Sequence, residues 1–270
     1  MSGARRLGAA AILAIAAASG LHAEGSPPLT ASITVSALNR YIFRGYRFGL
    51  GGLVLQPYVT VSYAGFSGSL WGNFDTGEGA TPNFTPDRAG RSSYNETDVS
   101  ANYAFGAGPF SLSAGFVYYG TRYTARTFEL FATAALNVFG TPTLAVNRDI
   151  DAFPGTYVNL SWSPSVSLAD GVSLDLAAAA GFYAGGSSYW RTFDPATGGY
   201  TGAPYRAFHD GSLKAALTIG LGRGWKLQPL VQYVFPLSSA ARRPADAPGG
   251  TANGPLAPVV VVGAAVLYSF

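Results

Sequence analysis

Phe110-Ser111-Leu112-Ser113-Ala114-Gly115-Phe116-Val117-Tyr118 decides the fold. Phe110, Leu112, Ala114, Phe116 and Tyr118 fall on every second position, with small or polar residues at Ser111, Ser113 and Gly115. Side chains of an extended chain alternate between faces, so this period sets an apolar face against a wetter one. A helix would repeat at three and four residues instead. The same alternation recurs on both sides. Toward the N-terminus it runs through Ile33, Val35, Ala37, Tyr41 and Phe43; then Leu53 to Tyr63; then Phe66 to Phe74; then Val99 to Phe105. Toward the C-terminus it runs through Phe128 to Leu136, around Leu144 and Val146, and Val158 to Trp162. Val172 to Phe182, Leu213 to Leu221, Trp225 to Phe235 and Val260 to Phe270 follow. This predicts about twelve strands.

The connections alternate as well. Ala64-Gly65, Gly106 to Pro109, Phe139 to Pro142, Ala169 to Gly171 and Gly222 to Gly224 have the composition of tight turns. Between them lie longer links: Arg44–Gly52, Thr76–Ser93, Gly120–Ala125, Arg148–Gly155, Ala184–Ala207 and Pro236–Ala257. Short turns at one end and long loops at the other, with an even strand number, are the pattern of an up-and-down transmembrane β-barrel. Tyr and Phe near the strand ends suit its interfacial aromatic girdles.

Composition agrees. The 270 residues are 48% hydrophobic and 14% aromatic, only 11% charged, with a mean hydropathy of +0.20. A soluble domain carries about 25% charged residues, and a disordered chain is charge-rich and poor in aromatics. Beyond the N-terminus the longest apolar run is Val259 to Leu267, too short for a membrane helix.

The N-terminus has Arg5-Arg6, an apolar run from Leu7 to Ala18, and a small-residue exit ending at Ala23. That is a secretory signal peptide, residues 1–23, leaving 24–270 as one barrel domain. Its removal takes two of the 17 basic residues, leaving 15 against 14 acidic and a net charge of +1 rather than +3. No basic cluster remains to track phosphates, so nucleic acid is not expected as a partner. The expected location is the outer membrane of a Gram-negative bacterium, with outer-membrane lipid and lipopolysaccharide around the barrel. The chain ends Val266-Leu267-Tyr268-Ser269-Phe270. A last alternating strand finishing in Phe is the pattern read by the barrel-assembly machinery, so Phe270 is expected to engage it.

Asn39-Arg40-Tyr41-Ile42-Phe43-Arg44-Gly45 resembles the Tyr-(Val/Ile)-Phe-Arg-Gly block that opens the TorF-like outer-membrane porins. Leu55-Gln56-Pro57, Gly65-Phe66 through Trp71-Gly72-Asn73, and Glu96-Thr97-Asp98 follow in the same order. The quotable motifs cover the first third of the chain. The resemblance implies an outer-membrane barrel and a channel for small solutes, without naming a solute.

Residues of opposite parity to the apolar set should line the lumen. The charged and ring-bearing candidates are Arg40, Arg44, Trp71, Asp75, Asp98, Glu129, Asp175, Lys214 and Lys226. Arg or Lys on the lipid face would cost about 2–4 kcal/mol at the midplane, which enforces the assignment. On one continuous first strand Arg40 and Arg44 would stand about 13 Å apart. With Lys214 and Lys226 they could form a positive ladder guiding anions past Asp75, Asp98, Glu129 and Asp175. The competing reading has these charges paired across a narrow, partly occluded lumen.

Chemistry has little purchase. With no cysteine and one histidine in the mature chain, a zinc site is not expected, nor any other cofactor. Asp149-Ile150-Asp151 and Asp75-Thr76-Gly77-Glu78 read as solvated loop acids. His209-Asp210-Gly211-Ser212 leaves a lipid hydrolase centred on His209 and Ser212 as an alternative, although a lone histidine there reads as an exposed loop residue. A second alternative is a structural or adhesive barrel acting through Thr76–Ser93, Ala184–Ala207 and Pro236–Ala257.

Overall fold

The computed structural model describes residues 27–270 apart from 50, 51, 187, 188, 195, 198, 246 and 248; the signal-peptide segment 1–23 lies outside the described residues. Along the chain run β1 (Thr30–Leu38), β2 (Ile42–Phe43), β3 (Tyr46–Arg47), β4 (Val54–Tyr63), β5 (Phe66–Asp75) and β6 (Ser93–Ala107). Next come β7 (Phe110–Thr121), β8 (Thr127–Leu136), β9 (Thr143–Asp149), β10 (Gly155–Trp162), β11 (Ser165–Ala169) and β12 (Val172–Gly185). The last are β13 (Arg191–Phe193), β14 (Tyr200–Pro204), β15 (Arg206–Gly222), β16 (Trp225–Pro236) and β17 (Val259–Ser269).

Twelve of these form a closed antiparallel barrel in the order β1, β4 to β10, β12, β15, β16, β17. Closure comes from β17 on β1, with Ile33 opposite Tyr268 and Val35 opposite Val266. Among the barrel strands every ladder is thereby shared and no edge is left open. β11 was not anticipated; after Ser163-Pro164 it carries the line of β10 onward along β12. Proline has no N–H for the ladder, which explains the interruption.

The alternation translates directly into faces. Phe66, Leu70, Val99, Phe105, Phe116, Leu130, Leu160, Leu213, Val231 and Val262 are exposed on the outside. At the short-turn end, outward rings pair across strands, Phe66 with Tyr103 at 4.7 Å and Trp225 with Tyr268 at 4.6 Å between centroids. Ala64-Gly65 forms a two-residue turn with positive φ at both positions, the mirror turn that matches strand twist.

Two bulges at the long-loop end add residues to the interior. Asn73 pairs with Glu96 but Phe74 pairs with Tyr94, so Asn95 is extra on β6. Ala180 pairs with Gly211 but Phe182 with Phe208, so β15 is one residue longer across that step. Asn95, His209 and Asp210 are consequently all buried.

The first strand departs from expectation. It leaves the sheet after Leu38, where Asn39 satisfies Val262 through both its backbone and side chain. Residues 42–47 then form a separate two-stranded hairpin, Phe43 opposite Tyr46, around Arg44 (φ 48°) and Gly45 (φ 79°). The hairpin touches strands from around the wall: Phe43 meets Tyr119 of β7, Arg44 meets Glu129 of β8 and Tyr157 of β10, and Tyr46 meets His209 of β15. A segment that reaches all of these occupies the lumen. A wall of twelve strands is wider than side chains alone can fill, and the hairpin takes up that space.

Candidate functional site

The site is the lumen where the inserted hairpin narrows it. Arg44 sits at the tip of a two-residue turn, in a backbone region that L-residues seldom adopt. Its Nη1 and Nη2 donate to Glu129 Oε1 and Oε2, each at 2.6 Å. Tyr119 adds a hydroxyl to Glu129 Oε2 at 3.0 Å. The guanidinium also lies 4.7 Å from the Phe43 ring centroid and 4.5 Å from that of Tyr157. Burial by itself would lower the Arg44 pKa; the Glu129 carboxylate outweighs it and holds the side chain cationic. Gly45 is required beside it, since a Cβ there would lie 2.8 Å from Asp210 Cβ and from Leu256 Cδ1.

Other elements clamp the hairpin from the long-loop side. Asn83 Oδ1 accepts from the Arg47 N–H at 3.0 Å, while its Nδ2 donates to the Asn253 carbonyl at 2.7 Å. The Tyr46 hydroxyl bonds that of Thr251. Tyr46, Tyr183, Trp190 and Tyr205 pack with Leu256 as a buried aromatic cluster under the loops. His209 lies within it, fully buried, with Nδ1 2.8 Å from the Tyr205 hydroxyl. Burial, with the Asp210 carboxylate adding to it, raises the Tyr205 pKa and keeps its hydroxyl protonated; the imidazole tautomer sets which of the two groups donates.

The candidates read from parity are distributed as follows. Trp71 packs on Tyr41 at 5.4 Å, and Glu129 holds Arg44. Asp75 is fully buried; its Oδ1 accepts from the Gly77 N–H at 2.9 Å and its Oδ2 has no hydrogen-bond partner. Asp98 Oδ1 is likewise buried and unpartnered. Asp175 belongs to a separate group near the short-turn end, taking hydrogen bonds from Ser165, Ser173, Thr218 and Gln228. Lys214 of β15 pairs in register with Gln232, and Lys226 of β16 with Gly220.

Three expectations need correcting. Arg40 and Arg44 do not stand on one strand and form no ladder: Arg40 lies in the link after β1 and donates to the Asn39 carbonyl, while Arg44 turns into the lumen. Asp149 and Glu78 are not solvated loop acids; each is about 2% exposed. Asp149 accepts from Thr127 at 2.8 Å and from the N–H groups of Asp151 and Phe153. Glu78 accepts from Asn95 and Tyr123. His209 is no exposed loop residue either, and its bonded neighbour is Tyr205 rather than Ser212.

Parity could have found Tyr119, Tyr157 and Tyr183, which share the inward phase of Glu129, Asn159 and Asp175. Asn95 and Asp210 owe their inward positions to the bulges. Trp190 and Tyr205 lie in a connection with no period to read.

Between the hairpin and the long loops lies a cavity of about 270 Å³. Its walls are rich in rings, among them Tyr41, Phe43, Tyr119, Tyr123, Tyr189 and Trp190; its ionisable lining residues outside the rings are Arg44, Glu96, Glu129 and Asp149.

No family model matches the chain, and no curated protein does. Among solved structures, the KdgM porin aligns with a TM-score of 0.51 at 13% identity, covering 88% of this chain and 99% of that one. The NanC porin aligns with a TM-score of 0.52 at 9% identity, covering 87% and 98%. The chain shares the porin-like barrel fold of these two proteins.

Proposed function

We propose that the chain is a bacterial outer-membrane channel through which small solutes diffuse, delivered by removal of residues 1–23. The observation that carries this reading is the barrel's two-faced wall. Outside, large apolar residues stand exposed on strand after strand; inside, polar and charged residues surround an incompletely filled lumen. An apolar exterior of that extent suits hydrocarbon and no aqueous surface. The motifs at Arg40–Gly45, Trp71–Asn73 and Glu96–Asp98 make a TorF-like porin the finer assignment. Phe270, at the end of the closing strand, suits the contact with the assembly machinery. Lipopolysaccharide suits the long-loop rim, where Arg148 points outward.

The reading assigns passage rather than chemistry to the lumen. His209 is engaged by Tyr205 and packed between Tyr46 and Tyr183, 5.0 and 5.4 Å between centroids. Because the hairpin narrows the lumen, the channel should conduct weakly. Single-channel recording on refolded protein in planar bilayers is the test. Discrete small steps support the reading. A bilayer that stays silent after verified insertion overturns it.

A further inference from the structure

We propose that the cavity above the hairpin binds a small organic cation bearing an apolar body, such as a protonated aralkylamine, with Glu96 as its ion partner. The inference deepens the channel reading by naming a solute class, and it rests on that reading only for passage, not for binding.

Three observations lead there. First, the walls are rich in aromatic rings and the volume of about 270 Å³ is that of a small organic molecule. Ring faces attract cations, most strongly where water is excluded. The protein already uses this chemistry, holding the Arg44 guanidinium over Phe43 and Tyr157 at 4.7 and 4.5 Å.

Second, the carboxylates lining the cavity are not equivalent. Glu129 has both oxygens taken by Arg44. Asp149 is satisfied by Thr127 and two backbone N–H groups. Glu96 is different: no cation lies within ion-pair reach of it among the described residues, and its near neighbour is the Tyr41 hydroxyl. Asp98, two residues along the same inward face, keeps a buried oxygen without a partner.

Third, the balance of sign selects the ligand. Three carboxylates line the cavity against one guanidinium that is already neutralised. An anionic solute would meet Glu96, with no unpaired base among the described lining residues to offset it. A neutral ring-stacking solute would leave Glu96 with the Tyr41 hydroxyl alone. A protonated amine satisfies Glu96 while its apolar body lies on Tyr41, Phe43 and Tyr123.

Three probes with one ring and different charge test this on the full mature chain: phenethylammonium, phenethyl alcohol and phenylpropionate. Tryptophan fluorescence reads binding, because Trp190 lines the cavity; bilayer current reads block. Phenethylammonium should saturate both signals, phenethyl alcohol should bind at least tenfold more weakly, and phenylpropionate should not saturate. Trp190→Phe should remove the fluorescence response. Glu96→Gln should weaken the cation at least fivefold. If that variant does not fold, Thr124→Lys at the exposed rim should weaken it by adding positive charge. Equal binding of the alcohol, or tighter binding of the carboxylate, overturns the proposal. Saturable fluorescence with a silent bilayer would retain the site and overturn the channel. Conductance without discrimination among the probes would retain the channel and overturn the site.

Discussion

Arg44 and Glu129, separated by 85 residues in the chain, meet as a parallel two-point ion pair with both N···O distances 2.6 Å. The pair joins the tip of an inserted hairpin to the barrel wall. Both side chains are nearly inaccessible, 9% and 4% exposed, so solvent screens the pair little. Breaking a buried pair from one side leaves a stranded charge, which costs about 3–5 kcal/mol.

Arg44→Leu should therefore unseat the hairpin and leave Glu129 uncompensated. The expected outcome is a single-channel conductance at least twofold higher and an earlier thermal unfolding transition. Arg44→Leu combined with Glu129→Leu should recover part of the lost stability, because neither charge is then left alone. Bilayer recording and thermal melts of the three proteins check this.

Gly45→Val should displace the same hairpin by sterics rather than charge. Gly45 has φ 79°, and any Cβ would press on Asp210 and Leu256 at 2.8 Å. The backbone term alone is about 1–2 kcal/mol, and the contact adds to it. Limited trypsin digestion is the measurement: cleavage after Arg44 or Arg47 should become fast in the variant and stay slow in the parent.

Parity should govern the cost of charge. Val262 is outward on β17 and pairs with Val231 of β16, while the adjoining Gln232 faces the lumen opposite Val261. Val262→Arg should lose about 2–4 kcal/mol in lipid vesicles, and Gln232→Arg should lose less than half of that. Reversible denaturant unfolding in vesicles separates the two. Equal losses would mean that the outer face does not meet hydrocarbon.

Alkali should loosen the aromatic cluster beneath the loops. Burial raises the pKa of both Tyr46 and Tyr205 above the ordinary phenolic value. A raised folded-state pKa gives stability that is complete below the unfolded value, about 10. That stability is then lost as pH rises toward the folded value. Conductance should thus stay flat to about pH 10 and increase beyond it. Tyr46→Phe should keep the cluster closed further into alkali than the parent.

The barrel was legible because its cause is local. Phe110 to Tyr118 alternates since successive side chains of a strand face opposite ways, and an apolar exterior leaves each outward position little choice. Strand number and the alternation of short and long connections followed from that one rule. The inserted hairpin did not, because Tyr41 and Phe43 continue the alternation of Ile33 to Ala37 without a break in period. One local signal was present: Arg44-Gly45 is a dipeptide that can close a two-residue turn. What places that turn in the lumen is Glu129, Tyr157, Asp210 and Leu256, brought together from four distant parts of the chain. The bulges that bury Asn95 and Asp210 depend in the same way on a neighbouring strand's register. By itself, then, the sequence determined the wall and which of its faces is apolar, since one strand's pattern suffices for that. The tertiary structure alone decided how the lumen is filled, since a charge inside a closed barrel takes its partner across space and not along the chain.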